Sequence, residues 1–375
     1  MPSILPPLLA ALAAACLVLA AACQPAPAPR ATAPLAPSSA PAPPSPGYRE
    51  TVSDAARAEG VVNATITSAW TPEGLRELED AVEREFGARI RINFTPVGSY
   101  PQRVSSLLSE LAANVTPSFD LYMSSDASSL TLLQHDALDT TSWDALLPPG
   151  TPPEVVQANG ALVVVSTGHI GAIYDPAVIA EADAPRSIRD LADPKWRGRL
   201  MLYNYGQNYL AYMYNLGREE TLVAVRGAVR NGASADTYAN GYTRFAAKEF
   251  PLVTNSSSSY HRAAGSNVPA AFVSLDFSFE TQHHLSIARK AAHPNAARLL
   301  AAVLAGPEGQ RIAGKYVESG NRYYESSSEY QLEQQARAAG LSTFRWTDHP
   351  AAVDLLLSPE GQSFQTEVAR VLSGG

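Results

Sequence analysis

The sequence predicts an α/β fold in which helices cover a parallel sheet. Helix and strand patterns alternate as β–α–β–α–β after about Tyr48. The 375 residues are 46% hydrophobic, so the chain can bury a large core and suits one two-lobed domain or two domains. Both cysteines, Cys16 and Cys23, precede this alternation. The folded region therefore has no disulfide, and core packing must stabilise it.

The first elements are set by helix-capping signals. TVSDAARAEG predicts a short helix closed by Gly60, and VVNATITSAW a buried strand. Thr71 is placed to cap the next helix, with Pro72 at its first position and Gly87 after its end. Its apolar stripe consists of Leu75, Leu78, Val82 and Phe86.

A second strand–helix–strand unit follows directly. RIRINFTPV alternates as a strand, and Ser99–Gln102 has the form of a capping box for the next helix. FDLYM is then a third strand. Ligands of parallel sheets bind beyond the carboxyl ends of the strands. Ser68–Trp70, Gly98–Tyr100 and Met123–Asp126 follow these strands and are the first candidate site, although each serine has helix capping as its commoner role.

The middle of the chain repeats the alternation. Residues 161–176 (ALVVVSTGHIGAIYDP) indicate a pair of strands, and Ser187 is placed to cap a short helix. RLMLYN predicts a strand, with a helix from about Gly206. Residues 268–275 predict another buried strand. HPNAARLLAAVLAGPEGQRIAGKY indicates two amphipathic helices, and LLLSPEGQSF begins a similar helix near the carboxyl terminus.

The serine run at Thr254–Arg262, TNSSSSYHR, has two interpretations. Serine runs are typical of solvated loops. This one lies deep inside the folded region, where it is placed to form part of the wall of a ligand cleft.

The amino terminus carries an export signal. Leu8 to Ala22 is an apolar run too short to span a bilayer, typical of a signal peptide over residues 1–22. Its end, LAAAC, resembles a bacterial lipoprotein cleavage box with Cys23 as the lipidated residue; the alternative is a soluble secreted protein cut nearby. Residues 23–47 are rich in Ala, Pro and Ser and predict an extended tether to a domain at 48–375.

Charge and motifs exclude other classes of protein. The net charge is −8, which argues against a nucleic-acid partner. The sequence has no G-x-S-x-G, no H-E-x-x-H and no P-loop, so an enzyme is not expected. The neighbouring His283 and His284 point to opposite sides in either regular structure, which is more typical of surface residues than of ligands.

Five segments carry a resemblance to a known family: EGVVNATITSAW, PVGSYPQRV, GAIYDP, SIRDLADPKWRGRL and HPNAARLLAAVLAGPEGQ. From about Arg57 to Glu325 the chain resembles the extracellular solute-binding proteins of ABC importers, and within them the ferric-ion-binding periplasmic group. The resemblance implies the two-lobed type II periplasmic-binding protein fold with two hinge crossovers. It places lobe one at about 55–163 and 275–318, lobe two at about 165–272, and carboxyl-terminal helices at about 328–375.

The resemblance also implies partners and location. A solute-binding protein delivers its ligand to ABC permease and ATPase subunits, works as a monomer and needs no cofactor. It is exported, here to the cell envelope, anchored by lipid on Cys23 to the outer face of the cytoplasmic membrane or held in the periplasm. The alternative is a ligand-sensing lipoprotein without a transport role, because fold does not fix function.

The ligand-binding positions of the ferric-binding group can be compared with this chain one by one. Ferric-binding relatives use adjacent tyrosines, where this chain has Ser258 and Ser259 followed by Tyr260. The loops that supply a histidine and a carboxylate in relatives read Ser68-Ala69-Trp70 and Gly98-Ser99-Tyr100 here. The remaining candidates have three expected roles. Trp70 could stack on a ligand, and Asp276 could pair with a ligand amine. Tyr205, Gln207 and Asn208 lie at a predicted helix start that could bind an anion.

Two ligand classes stay open on these residues. Hard Fe(III) favours phenolate oxygens, and Tyr100, Tyr205 and Tyr260 are the phenols available for a tyrosine-only site. Serine hydroxyls instead suit a small organic or phosphorylated anion. Glu280, like Asp276, is either a partner for a ligand amine or a hinge or surface charge.

Overall fold

The computed structural model of the protein describes residues 47–67, 69–317 and 320–374. The predicted signal peptide, Cys23, nearly all of the tether and Ser68 lie outside these residues. Within them, no helix has both the length and the apolar character needed to cross a membrane.

Thirteen α-helices lie in the described part of the chain. They are α1 (Tyr48–Glu59), α2 (Pro72–Phe86), α3 (Tyr100–Ala112), α4 (Asp126–Gln134), α5 (Gly206–Leu216), α6 (Arg218–Arg230), α7 (Tyr238–Ala246), α8 (Ser257–Gly265), α9 (Pro294–Ala305), α10 (Pro307–Val317), α11 (Ser328–Ala338), α12 (Pro350–Leu357) and α13 (Pro359–Leu372).

Eleven strands lie between these helices. They are β1 (Val61–Ile66), β2 (Arg91–Pro96), β3 (Leu121–Ser125), β4 (Val156–Gln157), β5 (Leu162–Tyr174), β6 (Leu200–Tyr203), β7 (Ser234–Asp236), β8 (Leu252–Ser256), β9 (Ala271–Val273), β10 (Ser278–Ile287) and β11 (Thr343–Phe344). The main path through the sheet has the order β2-β1-β3-β10-β5-β8-β6-β7.

Two groups of parallel strands flank a central antiparallel pair. β1, β2 and β3 are mutually parallel on one side, and β6, β7 and β8 on the other. Between them, β5 and β10 run antiparallel to each other and to their outer neighbours. Each parallel group is connected through helices, as parallel strands require. We refer to the groups as the first half (β1–β3) and the second half (β6–β8).

Two large apolar cores show that β5 and β10 cross between these halves. In β5, Val163–Val165 pack into the core of the first half, whereas Ile170 and Tyr174 pack into that of the second. β10 makes the same crossing in reverse, with Phe279 in the second core and Leu285 in the first. The two strands are therefore crossovers between the halves, as the resemblance implied, and the return crossing lies at β10, after the expected break between the lobes at 272–275.

The strand register brings the carboxyl ends of both groups together. Ser125, the last residue of β3, pairs with His283 of β10, which in turn pairs with Ser166 of β5. Ser256, the last residue of β8, pairs with Ile170 of β5. The two ends thus lie four residues apart along one strand, Ser166 to Ile170. The loops and helix starts that follow the parallel strands converge at the middle of the crossover.

Most predicted helix boundaries are confirmed. Gly60 and Gly87 are left-handed and close α1 and α2, and the Thr71 hydroxyl accepts a hydrogen bond from the amide of Gly74. The Ser99 capping box is wrong, because that side chain makes no cap hydrogen bond. The loop interpretation of 254–262 is also wrong, since β8 runs directly into α8 there.

The pair of strands predicted over 161–176 is one continuous strand of 13 residues. Gly171 permits this continuity where β9 crosses closely. A methyl group at Gly171 would lie 2.3 Å from the carbonyl oxygen of Val273, far inside the contact distance of such atoms.

Candidate functional site

The middle of the crossover exposes a single row of residues. Gly168 is the one position of β5 that is not buried, and Thr281 and His283 are the two such positions of β10. Thr281 pairs with Gly168, and His283 pairs with Ser166. Paired residues of neighbouring strands project on the same side of a sheet. We call Ser166, Gly168, Thr281 and His283 the floor.

The start of α3 borders the floor on the side of the first half and forms one wall of the site. Tyr100 is the first residue of this helix, and its ring lies 5.7 Å from the ring of His283, centroid to centroid. Burial raises the pKa of Tyr100 to about 12, so its hydroxyl keeps its proton at neutral pH. An open pocket of about 620 Å³ adjoins this helix start and includes Ser99 in its lining.

The start of α8 forms the wall on the second half. A methyl group at Gly168 would lie 3.5 Å from the Ser257 hydroxyl oxygen and 3.5 Å from that of Thr281. The serine run that sequence reasoning singled out therefore begins at the edge of the floor. Within it, Ser258 is exposed and its hydroxyl lies 2.6 Å from that of Ser256.

Other members of the serine run face inward. Ser259 is buried and donates a hydrogen bond of 2.8 Å to the side-chain oxygen of Asn255. Tyr260 packs its ring 6.1 Å from that of Phe272. Among Ser258, Ser259 and Tyr260, the side chain of Ser258 is therefore the most accessible to a ligand.

The start of α5 carries three further predicted residues. Tyr205 precedes this helix, is 40% exposed and packs its ring 4.6 Å from that of Tyr238. The buried Asn208 side chain donates a hydrogen bond to the hydroxyl of Tyr238. Gln207 is half-buried beside it. Neither Tyr205 nor Ser99 caps its helix with a side-chain hydrogen bond.

Two predicted residues are engaged elsewhere. Trp70 is 8% exposed and packs in the first core, which leaves little of its ring for stacking on a ligand. Asp276 accepts a 2.7 Å hydrogen bond from the amide of Ile188. Burial raises the pKa of this carboxyl.

The three phenols proposed for Fe(III) each pack against a different partner: Tyr100 against His283, Tyr205 against Tyr238, and Tyr260 against Phe272.

The opposite face of the crossover holds a buried ionic network. The imidazole of His169 lies between two carboxylates of α11, with Nδ1 2.7 Å from Glu329 and Nε2 3.4 Å from Glu333. Burial by itself lowers the pKa of His169, but the hydrogen bonds to both glutamates outweigh it and raise the pKa to about 9. Both ring nitrogens are then donors, and the ring carries a positive charge at neutral pH.

The same carboxylate holds α8 in place. Glu329 accepts a 2.6 Å hydrogen bond from the Ser257 hydroxyl and lies 2.9 Å from Nε2 of His261. The Ser257 oxygen in turn accepts a 2.9 Å hydrogen bond from the backbone amide of His169. Glu329 therefore ties the wall helix α8 to the crossover strand β5 from behind.

Glu280 completes the network and is not available to a ligand. It is fully buried and forms ion pairs with Arg322 at 2.6 Å and Arg345 at 2.7 Å. Ligand atoms of His169, Glu280 and Glu333 lie within 4.8 Å of one another. Two guanidinium groups already neutralise Glu280 and the His169 imidazolium contacts Glu333, so this cluster is an ion-pair network and not a cation site.

A family model decides the class of protein. Residues 68–316 match the model for bacterial extracellular solute-binding proteins. The chain belongs to this family. No curated protein sequence matches it. As a solute-binding protein of the ABC transporter type it is a member of an exported family of transport proteins, and such proteins bind small ligands and work with a permease and an ATPase.

Solved structures share the fold of this solute-binding protein. Iron-bound HitA from Pseudomonas aeruginosa is 16% identical, with a TM-score of 0.61 over 83% of this chain and 99% of that one. Trichodesmium IdiA (FutA), in complex with iron and citrate, is 13% identical, with a TM-score of 0.61 over 84% and 99%. PotD from Streptococcus pneumoniae is 13% identical, with a TM-score of 0.57 over 81% and 98%. The two-lobed periplasmic-binding protein fold is thereby confirmed.

Sequence reasoning missed the floor. His283 and His284 do project in opposite directions, towards Ser166 and Ser129 respectively, but neither is a surface residue. His284 is fully buried and His283 is half-buried at the crossover. The signal lay in the polar alternation of SFETQHHLSI, which is unusual for a central strand.

Proposed function

We propose that this solute-binding protein captures a small anion between its two halves and delivers it to an ABC permease. One observation carries the proposal: the exposed face of the two crossover strands lies between helix starts from opposite halves. A ligand bound on that floor would contact both halves in the closed state and only part of them in the open state. Its higher affinity for the closed state would shift the open–closed equilibrium towards closure.

The helix starts around the floor favour an anion. α3, α5 and α8 each begin within four residues of a strand end, and their N-cap side chains make no cap hydrogen bonds. The first backbone N–H groups of a helix have no partner within the helix, and the helix dipole attracts negative charge there. A small organic or phosphorylated anion is the ligand class that such groups suit.

Fe(III) is the second candidate. The relatives HitA and IdiA (FutA) were solved with iron, and Tyr100 and Tyr205 lie at helix starts near the crossover. The separate packing partners of the three phenols weigh against a tyrosine-only site. Since Fe(III) bound by phenolate absorbs visible light, a titration with ferric citrate separates the two candidates.

Ligand capture is tested with the purified protein in a thermal-shift screen of phosphate, citrate, ferric nitrilotriacetate and spermidine. A stabilising solute is then added during small-angle X-ray scattering. We expect one anion to raise the melting temperature and to reduce the radius of gyration, as closure of the halves requires. Stabilisation by spermidine alone would contradict an anion as ligand.

The wall residues are tested separately from the fold. Ser258→Ala removes an exposed hydroxyl and should weaken binding about tenfold without changing the melting temperature. Ser266→Ala, at the other end of α8, is the matched control. Equal affinity of both variants would remove α8 from the site.

We further propose that Cys23 is lipidated and anchors the protein to the cell envelope through the tether. Expression with a fatty-acid label in a bacterium should mark the wild type and leave Cys23→Ser unmarked. A labelled Cys23→Ser protein would exclude this residue as the anchor. A sensing role without transport remains the alternative function, and growth on the identified ligand with and without the protein distinguishes the two.

A further inference from the structure

We propose that an oxyanion of the ligand, a carboxylate or a phosphate, is bound by two uncharged donors on the floor, the imidazole of His283 and the phenol of Tyr100. This inference rests on the proposed function and gives its site a ligand chemistry and two recognition residues. It adds a histidine from the crossover to the wall residues at the helix starts.

The geometry of His283 leaves one ring nitrogen free. Its Nδ1 lies 3.1 Å from the Ser166 hydroxyl oxygen, on the neighbouring strand. His284, the next residue of β10, projects to the opposite face, as adjacent residues of a strand do. Within the described residues, His283 Nε2 and the Tyr100 hydroxyl have no hydrogen-bond partner, and the two rings lie side by side.

Both groups are donors at neutral pH. Burial lowers the pKa of His283 to about 4, so the ring is neutral and one nitrogen carries the proton. We assign the Ser166 hydroxyl as the donor to Nδ1, an assignment that places the ring proton on Nε2. The Tyr100 phenol keeps its proton because burial raises its pKa. Two neutral donors, an N–H and an O–H, are therefore carried by neighbouring rings at the floor.

The surroundings favour an oxyanion over a cation. The floor itself is made of Ser166, Gly168, Thr281 and His283 and carries no carboxylate. The nearest strand carboxylate, Glu280, lies on the opposite face between Arg322 and Arg345. Hydrogen bonds from neutral donors to an oxyanion are stronger than those between neutral groups. They also leave the ligand free to dissociate, because no opposite charge is buried with it.

The first test, which needs no ligand, determines which ring nitrogen of His283 carries the proton. Long-range ¹H–¹⁵N NMR of the purified protein, with the His283 signals assigned by comparison with His283→Ala, should show Nε2 protonated and Nδ1 unprotonated. An unprotonated Nε2 would overturn the proposal, because that nitrogen would then accept hydrogen bonds or bind a metal.

Binding is tested with inorganic phosphate and with citrate. Tyr100→Phe and His283→Ala should each weaken binding about tenfold or more, while the controls Tyr330→Phe and His135→Ala stay within twofold of the wild type. A response to citrate alone identifies a carboxylate ligand, and a response to phosphate alone a phosphoryl group. Tyr100→Phe keeps the ring, so its effect stays interpretable if His283→Ala folds poorly.

Three results would overturn the inference. The first is wild-type affinity in both floor variants. The second is a visible absorption band with ferric nitrilotriacetate that Tyr100→Phe abolishes, since a tyrosinate is not a donor. The third is closure on a solute that is not an oxyanion, which would leave capture of a ligand between the halves intact but would change its class. The absence of binding and closure with every solute of the screen would instead count against both.

Discussion

The Nδ1 atom of His169, in a crossover strand, lies 2.7 Å from the carboxylate of Glu329, in helix α11, although 160 residues separate them in the chain. Both side chains are almost fully buried. The attraction of two buried charges must offset their desolvation, and removing one partner leaves the other charge uncompensated. This ion pair attaches helix α11 to the crossover strand β5.

We expect Glu329→Gln to destabilise the protein by about 3–5 kcal/mol, the usual cost of breaking a buried ion pair. The amide cannot accept strong hydrogen bonds from the charged His169 ring, His261 and Ser257 together. Chemical denaturation followed by tryptophan fluorescence measures the loss. Glu325→Gln, an exposed residue in the same segment, should change stability by less than about 0.5 kcal/mol. Equal stability of the two variants would refute a structural role for the pair.

The same network predicts a stability maximum in mildly acidic solution. The pKa of His169 is raised to about 9 in the folded protein, from 6.5, so its contribution is complete below pH 6.5 and is lost as the pH rises to 9. Hydrogen bonds from His169 overcome burial and lower the pKa of Glu329 and Glu333 to about 2, from 4.5. Their contribution is complete above pH 4.5 and is lost as the pH falls to 2.

Melting temperatures measured from pH 3 to pH 10 should therefore be highest between about pH 4.5 and 6.5 and fall on both sides. In His169→Gln the decrease between pH 6.5 and 9 should flatten, because the group that loses its proton is gone. An unchanged alkaline slope in that variant would show that another group titrates there.

Asp126→Asn should stabilise the protein in alkaline solution. Burial raises the pKa of Asp126 to about 7, from 3.8, and its carboxylate accepts a 3.0 Å hydrogen bond from the amide of Gln282. Asparagine keeps the acceptor without a charge to bury. We expect the gain, about 1 kcal/mol or more at pH 8, to shrink as the pH falls from 7 towards 4. A variant less stable than the wild type at pH 8 would contradict this account.

Gly168 and Gly171 should respond differently to alanine. At Gly171 the new methyl group meets the Val273 carbonyl and the Phe272 ring, so a loss of about 1–3 kcal/mol or more is expected. At Gly168 it meets hydroxyl groups at ordinary distances, and stability should hold while the floor becomes narrower. Denaturation curves of both variants, with ligand affinity for Gly168→Ala, test the contrast. A destabilised Gly168→Ala would mean that this position is packed and not open.

Local patterns predicted the elements, and long-range contacts determined the site. Thr71, Gly60 and Gly87 act on neighbouring residues, so their effects were readable from the sequence. The role of Glu329 depends on His169 and Ser257, which lie 160 and 72 residues away. Serine and histidine in a helix start gave no sign of which side of the crossover each would face. Ser257 and His261 both bind Glu329, while Ser258 is exposed.

The dependence on Glu329 also concerns the order in which the chain leaves the cell. In a chain exported from its amino terminus, Glu329 and Glu333 cross the membrane after His169, so this ring meets its carboxylate partners only when they have followed. Until then the crossover strands hold a buried imidazole without its counter-charges. The first half can pack earlier, whereas the core of the second half also waits, because it includes Trp346 and Phe364. The junction between the halves is therefore completed only after α11 has been exported.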